Sequence, residues 1–142
     1  MKSFLKNIIV FSLILLVMNI AGYQIVYNRY LSDYEEVKLN FKSYILGDSQ
    51  GKAVGDQGEE IGVYNFSDDS DSYEDIYRKT IFLLHNTQID TLFVSVNDHT
   101  LSSYRDKRNN SDRSILFEEK SFLGNIKYYL IYRYLVLTNS KY

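Results

Sequence analysis

The feature that most constrains this chain is an uncharged run from Ile8 to Val26, 19 residues with only Ser12, Asn19 and Gln24 as polar side chains. As a helix rising about 1.5 Å per residue it covers roughly 28 Å, close to the hydrocarbon thickness of a bilayer. Lys2 and Lys6 precede it, and Tyr23, Tyr27, Arg29 and Tyr30 gather at its far end. Basic residues stay on the cytoplasmic side and aromatic residues favour the interface, so the pattern predicts a single pass with the N-terminus inside. A cleaved signal needs small residues three and one before the cut. Ala21 is small, but Asn19 two residues earlier is a poor partner, which favours an uncleaved signal-anchor. A buried soluble helix is usually shorter. The expected organisation is a cytoplasmic stub, anchor and juxtamembrane segment over 1–34, then one extracytoplasmic domain over 35–142. The abundance of Tyr, Lys, Asn and Ile hints at an AT-rich bacterial genome, and hence at a bacterial inner membrane.

Charge and cysteine exclude several functions. The net charge is −2, from 16 basic and 18 acidic residues, so no global basic field recommends nucleic acid as a partner. There is no cysteine. That removes disulfides, thiol catalysis, Cys-ligated zinc and lipoprotein processing. No cofactor or metal is expected. Asp68, Asp69, Asp71 and Asp75 lack the glycine and glutamate spacing of a calcium loop. Gly51-Lys52 lacks the spacing and the following hydroxyl of a phosphate loop.

The extracytoplasmic part reads as α/β. Val37, Leu39 and Phe41 alternate with polar residues, predicting a strand that continues through Tyr44-Ile45-Leu46. Five glycines from Gly47 to Gly62 predict a loop or a short weak helix. Ile61–Phe66 predicts a second strand. Residues Ser67–Ser72 are turn and cap chemistry. Tyr73, Ile76, Tyr77, Ile81 and Leu84 then predict the apolar face of a helix. Thr91–Val96 predicts a third strand, and strand–helix–strand with an apolar third strand points to a parallel sheet. Asp98–Ser114 reads as a polar loop, or a short helix with a loop, in which Arg105, Lys107, Arg108 and Arg113 are solvated. Ile115–Leu137 reads as a helix, with Tyr134–Leu137 as an alternative fourth strand. That segment is apolar almost all round, so it calls for burial on several sides, and Lys127 and Arg133 argue against a second span.

In parallel α/β sheets, chemistry gathers at the carboxyl ends of the strands. Three polar clusters fall there: Gly47-Asp48-Ser49-Gln50, Asn65–Ser72 and Asn97-Asp98-His99. A serine, backbone turns and an asparagine are the parts of an acyl-transfer site, a nucleophile with oxyanion donors.

This order of motifs resembles the SGNH/GDSL hydrolase family over residues 42–100. The resemblance implies a partial parallel three-layer (SGNH/flavodoxin-like) sheet behind one transmembrane helix. It implies Ser49 as nucleophile, Asn97 as an oxyanion donor through its amide, and the backbone of Asp69 or Ser70 as a further donor. Gly47, Asp48 and Asp98 support the motifs, and Ser95 stands where the family has glycine. The family's base is a histidine in a C-terminal Asp-Xaa-Xaa-His motif, and no histidine follows His99. His99 is therefore the one local substitute. His85 reads as a helix C-terminal residue favoured by the dipole. The chain reads as the front part of a larger domain. The implied function is a membrane-anchored acyl-ester hydrolase or O-acyltransferase module acting on extracytoplasmic carbohydrate. Its expected partners are the membrane, a cell-envelope polysaccharide or acyl donor, and a downstream segment or partner chain that completes the site. The alternative is a non-catalytic single-pass envelope protein with a structural or interaction role.

Overall fold

The computed structural model describes residues 2–98, 100–106, 108–118, 120–130 and Leu137. The apolar run forms helix α1 (Lys2–Val26), which continues through a π-helical turn (Tyr27–Leu31) into α2 (Ser32–Glu35). The segment Ser3–Glu35 is long and apolar enough to cross a membrane, and its most apolar stretch has no burial against the rest of the chain. Val26 and Leu31 are buried with Tyr27 and Tyr30 around them, and Tyr34 reaches the main core.

Beyond α2 the fold is a three-stranded parallel sheet in the order β2-β1-β3, with β1 (Ser43–Leu46) central, β2 (Val63–Asn65) and β3 (Thr91–Val94). Ser43 registers with Val63 on one side and Thr91 on the other. Between β1 and β2 run α3 (Ser49–Lys52) and a 3-10 segment, Gly55–Ile61. Helix α4 (Tyr73–Asn86) crosses over from β2 to β3. After β3 come a 3-10 turn (Ser103–Asp106), α5 (Ser111–Ser114), a second 3-10 turn (Ile115–Phe117) and α6 (Phe122–Leu130). The core lies on one face of the sheet, where Tyr44, Leu46, Tyr64 and Phe66 meet Ile76 and Leu83 of α4, together with Tyr34 and Phe117. On the other face Ile45, Val63 and Phe93 line a shallow apolar groove with Ile61 and Val54.

Three expectations are corrected. Val37–Phe41 alternates like a strand, yet it forms no strand. Its carbonyl oxygens are claimed by side chains instead. The Tyr44 hydroxyl lies within hydrogen-bond reach of the Lys38 and Phe41 carbonyls, and Thr87 donates to Leu39. The second correction concerns the face of α4. Its buried residues are Asp75, Ile76, Lys79 and Leu83, whereas Tyr77 and Leu84 are exposed. Spacings of three and four still hold, but two members of the buried face are charged and acceptable there because they are paired. The third is the long C-terminal helix, which is broken between Phe117 and Phe122. There the Lys120 ammonium donates to the carbonyls of Ile115, Leu116 and Glu118, closing the 3-10 turn instead of continuing the helix. Of the alternative strand Tyr134–Leu137, only Leu137 is among the described residues.

Candidate functional site

The carboxyl ends of the strands are laced together by backbone. Phe66 donates to the Ile45 carbonyl at 2.8 Å, Ser95 to Leu46 at 2.8 Å, and Asp68 to Gly47 at 3.3 Å. Glycine is required where these ends meet. A Cβ on Gly47 would stand 2.6 Å from the Ser95 Cβ, and one on Gly51 would stand 2.6 Å from the Ser67 Oγ. Asn65 ties the second cluster to the first, donating to the carbonyls of Gly51 and Gly55 while accepting from the Ser67 N–H.

Asp48 caps α3, accepting from the Gln50 N–H at 3.1 Å, so Ser49 is the first helical residue, with an exposed side chain. The Asp48 carboxylate is buried and receives the Arg105 guanidinium at 3.0 Å. The Asn97 amide donates to the same carboxylate at 3.3 Å and to the Gln50 side chain at 3.2 Å. It thus bonds both sequence neighbours of Ser49. Its own oxygen accepts from the Thr100 N–H at 2.9 Å, fixing the turn after β3. Asp98 lies within that turn, exposed. His99 lies outside the described residues. His85 sits near the end of α4, toward the amino ends of the strands and away from Ser49.

In the second cluster, the Asp69 N–H donates to the Asp68 carboxylate at 2.8 Å. Ser70 takes a left-handed conformation, φ 68°, of the kind glycine adopts without strain. Lys52 bridges to Asp68 at 2.7 Å and to Asp69 at 3.0 Å, and Arg113 reaches Asp68 at 3.2 Å. Burial works against ionisation of Asp68, but Lys52 and Arg113 hold its pKa below the ordinary value. Next to this loop a polar cleft of about 300 Å³ opens between Asp33 and Glu36, at the end of α2, and Lys52, Ser67 and Arg113 on the other side.

The loop rests on a buried ionic network. Asp71 accepts from Lys79 at 2.5 Å, Asn110 at 2.5 Å, Tyr34 at 3.1 Å and the backbone N–H of Asp68 at 3.2 Å. Lys79 is 1% exposed, with its ammonium 4.4 Å from the Tyr34 ring centre and 4.5 Å from that of Phe66. Burial pushes the Asp71 carboxyl up to about 6, with Lys79 pulling the other way. Asp75 forms a capping box with Ser72 and also accepts from the Asn110 N–H and the Ser114 hydroxyl.

The structure therefore places Asn97 against Asp48 and Gln50, on either side of Ser49, with Ser67 and Ser95 packed on the glycines of the same turn. It does not bring a base to Ser49 among the described residues. Sequence reasoning missed Arg105, expected to be solvated but buried on Asp48, as well as Lys79 and Asn110. A signal for Lys79 was present: it falls three residues after Ile76 and four before Leu83, within the core stripe. Nothing in the sequence pairs Arg105 with Asp48. No family model, curated protein or solved structure matches this chain.

Proposed function

We propose that this chain is a single-pass inner-membrane protein whose extracytoplasmic domain is an SGNH-like three-layer module acting on acyl esters of cell-envelope carbohydrate. In this reading the Ser49 hydroxyl attacks the ester carbonyl. The Asn97 N–H that rests on the exposed Gln50 side chain is then released to the oxyanion, beside backbone N–H groups of the Ser49 and Ser70 turns. The supporting observation is the pair of hydrogen bonds from Asn97 to Asp48 and Gln50, which holds that amide beside Ser49. A serine without a base is a poor nucleophile, so the proton is taken by His99 or by a group from a further segment or partner chain. The test is hydrolysis of an activated acetyl ester by the full chain in detergent, with Ser49→Ala and His99→Ala. Fast turnover lost in both variants assigns His99 as the base. Slow turnover lost only in Ser49→Ala assigns the serine and leaves the base outside this chain. Turnover indifferent to Ser49→Ala removes the catalytic role.

One observation favours the second reading, a non-catalytic envelope protein. Arg105 is buried on Asp48, and the Asn97 amide is turned to the same carboxylate, so these groups already hold the loops together. Topology is tested by reporter fusions after Tyr34: activity only in the cytoplasm contradicts the proposed orientation.

A further inference from the structure

The turn after β2 is held from its buried side. The Asp71 N–H donates to the Asp68 carbonyl at 3.1 Å, and Ser70 between them is left-handed at φ 68°, the pattern of a type II turn. Such a position favours glycine, and Ser70 is the one non-glycine residue with positive φ among the described residues. Asn110 supplies the constraint. Its side chain is fully buried and donates from Nδ2 to the Asp69 carbonyl at 2.8 Å and to the Asp71 carboxylate at 2.5 Å. The Arg113 guanidinium donates to the Asn110 Oδ1 at 2.6 Å, which fixes the orientation of the amide. In a planar trans peptide the N–H points opposite to the C=O. With the Asp69 carbonyl turned inward to Asn110, the Ser70 N–H is turned out of the buried network. No hydrogen bond engages that N–H among the described residues, whereas the Asp69 N–H is already taken by the Asp68 carboxylate at 2.8 Å.

The same turn stands beside Ser49. Asp68 donates its N–H to the carbonyl of Gly47, two residues before the serine, and Lys52, three residues after it, bridges to Asp68 and Asp69. We propose that Asn110 is a positioning residue for the acyl-transfer site: by holding the Asp69 carbonyl it keeps the Ser70 N–H, and not that of Asp69, available as a donor to the oxyanion. The proposal rests on the reading of Ser49 as the nucleophile. Asn110 touches no reacting atom, and its effect runs through one peptide plane. Flipping the Asp69–Ser70 peptide converts a type II turn into type I, which a serine accepts more readily, and reverses the direction of the Ser70 N–H. The buried Asn110 amide opposes that flip, because the Asp69 carbonyl would leave its donor.

The test measures acetylation of Ser49 by an activated acetyl ester against ester concentration, on the full chain in detergent, with rates scaled to the folded fraction from circular dichroism. Asn110→Ala is expected to lower the limiting rate about tenfold or more while leaving the half-saturating concentration nearly unchanged, because a misdirected donor is missed only in the transition state. Ser70→Gly in the same chain should restore most of the rate, since glycine keeps the left-handed turn without the anchor. A folded Asn110→Ala chain acetylated at the wild-type rate, or a loss that Ser70→Gly does not recover, overturns the proposal and leaves Ser49 as nucleophile. Should Asn110→Ala fail to fold, the wild-type chain decides. A fluorophosphonate loses fluoride to the Ser49 hydroxyl and leaves a tetrahedral adduct with an oxygen where the oxyanion forms. The Ser70 amide proton should then move downfield in the NMR spectrum, the Asp69 amide proton should stay in place, and the Asn110 side-chain amide protons should remain slow to exchange. An unmoved Ser70 proton, or Asn110 amide protons exchanging freely with water, overturns the proposal. If Ser49 takes neither acetyl nor phosphonate, the nucleophile reading fails, and this one with it.

Discussion

Arg105 reaches back 57 residues to place its guanidinium 3.0 Å from the Asp48 carboxylate, and both side chains are nearly removed from solvent. This pair joins the loop after β3 to the loop after β1. Removing one partner of a buried pair leaves an uncompensated charge, which costs about 3–5 kcal/mol. Arg105→Ala is therefore expected to lower denaturant stability by that order. Restoring neutrality with Asp48→Asn in the same chain should recover part of the loss, because the lone carboxylate is gone. Equal stability of Arg105→Ala and wild type would contradict the pairing.

Gly47→Ala tests how closely the strand ends approach. Its Cβ would lie 2.6 Å from that of Ser95, so one backbone must move. A loss of about 1–3 kcal/mol is expected, the range for overpacking. Ser95→Gly introduced alongside should relieve most of it. A double variant no more stable than Gly47→Ala alone would place the strain elsewhere.

Asp71 gives the fold a pH dependence. Burial raises its folded pKa to about 6, above the ordinary carboxyl value of 3.8. The sign follows from linkage: a folded pKa above the unfolded one adds stability below the unfolded value, and that stability is lost as pH rises through about 6. Carbon-13 NMR of the Asp71 carboxyl should show a midpoint near 6. In addition, Asp71→Asn should flatten the stability change between acid and neutral pH. A midpoint in the ordinary aspartate range would contradict the burial account.

How much of this was legible in the sequence depends on what kind of signal carried it. The long N-terminal helix, apolar enough to cross a membrane, was plain from nineteen consecutive uncharged residues. The three strands were legible from short apolar runs, and the start of α4 from Ser72 and Asp75, whose capping box is local chemistry. Val37–Phe41 misled because alternation describes side chains, while strand formation also needs free carbonyls, and those of Lys38, Leu39 and Phe41 were taken by Tyr44 and Thr87. Lys79 was only half legible as a core residue. Its spacing fits the core stripe, but its burial depends on Asp71, Tyr34 and Phe66 together, and no periodicity encodes that meeting. That Asn97 would meet the turn around Ser49 was legible from the position of both at strand ends. Arg105 was not, because the pairing is a property of two loops folded onto each other.

The central claim is that Ser49 is a nucleophile toward acyl esters, and the most direct measurement is peptide mapping by mass spectrometry after brief exposure of the full chain to an activated acetyl ester. The expected result is an acetyl group on Ser49, absent in Ser49→Ala and reduced by about 10²-fold or more in rate when the Asn97 oxyanion donor is removed by Asn97→Ala. Acetylation confined to surface lysines and tyrosines, with Ser49 unmodified and unaffected by Asn97→Ala, would contradict the claim.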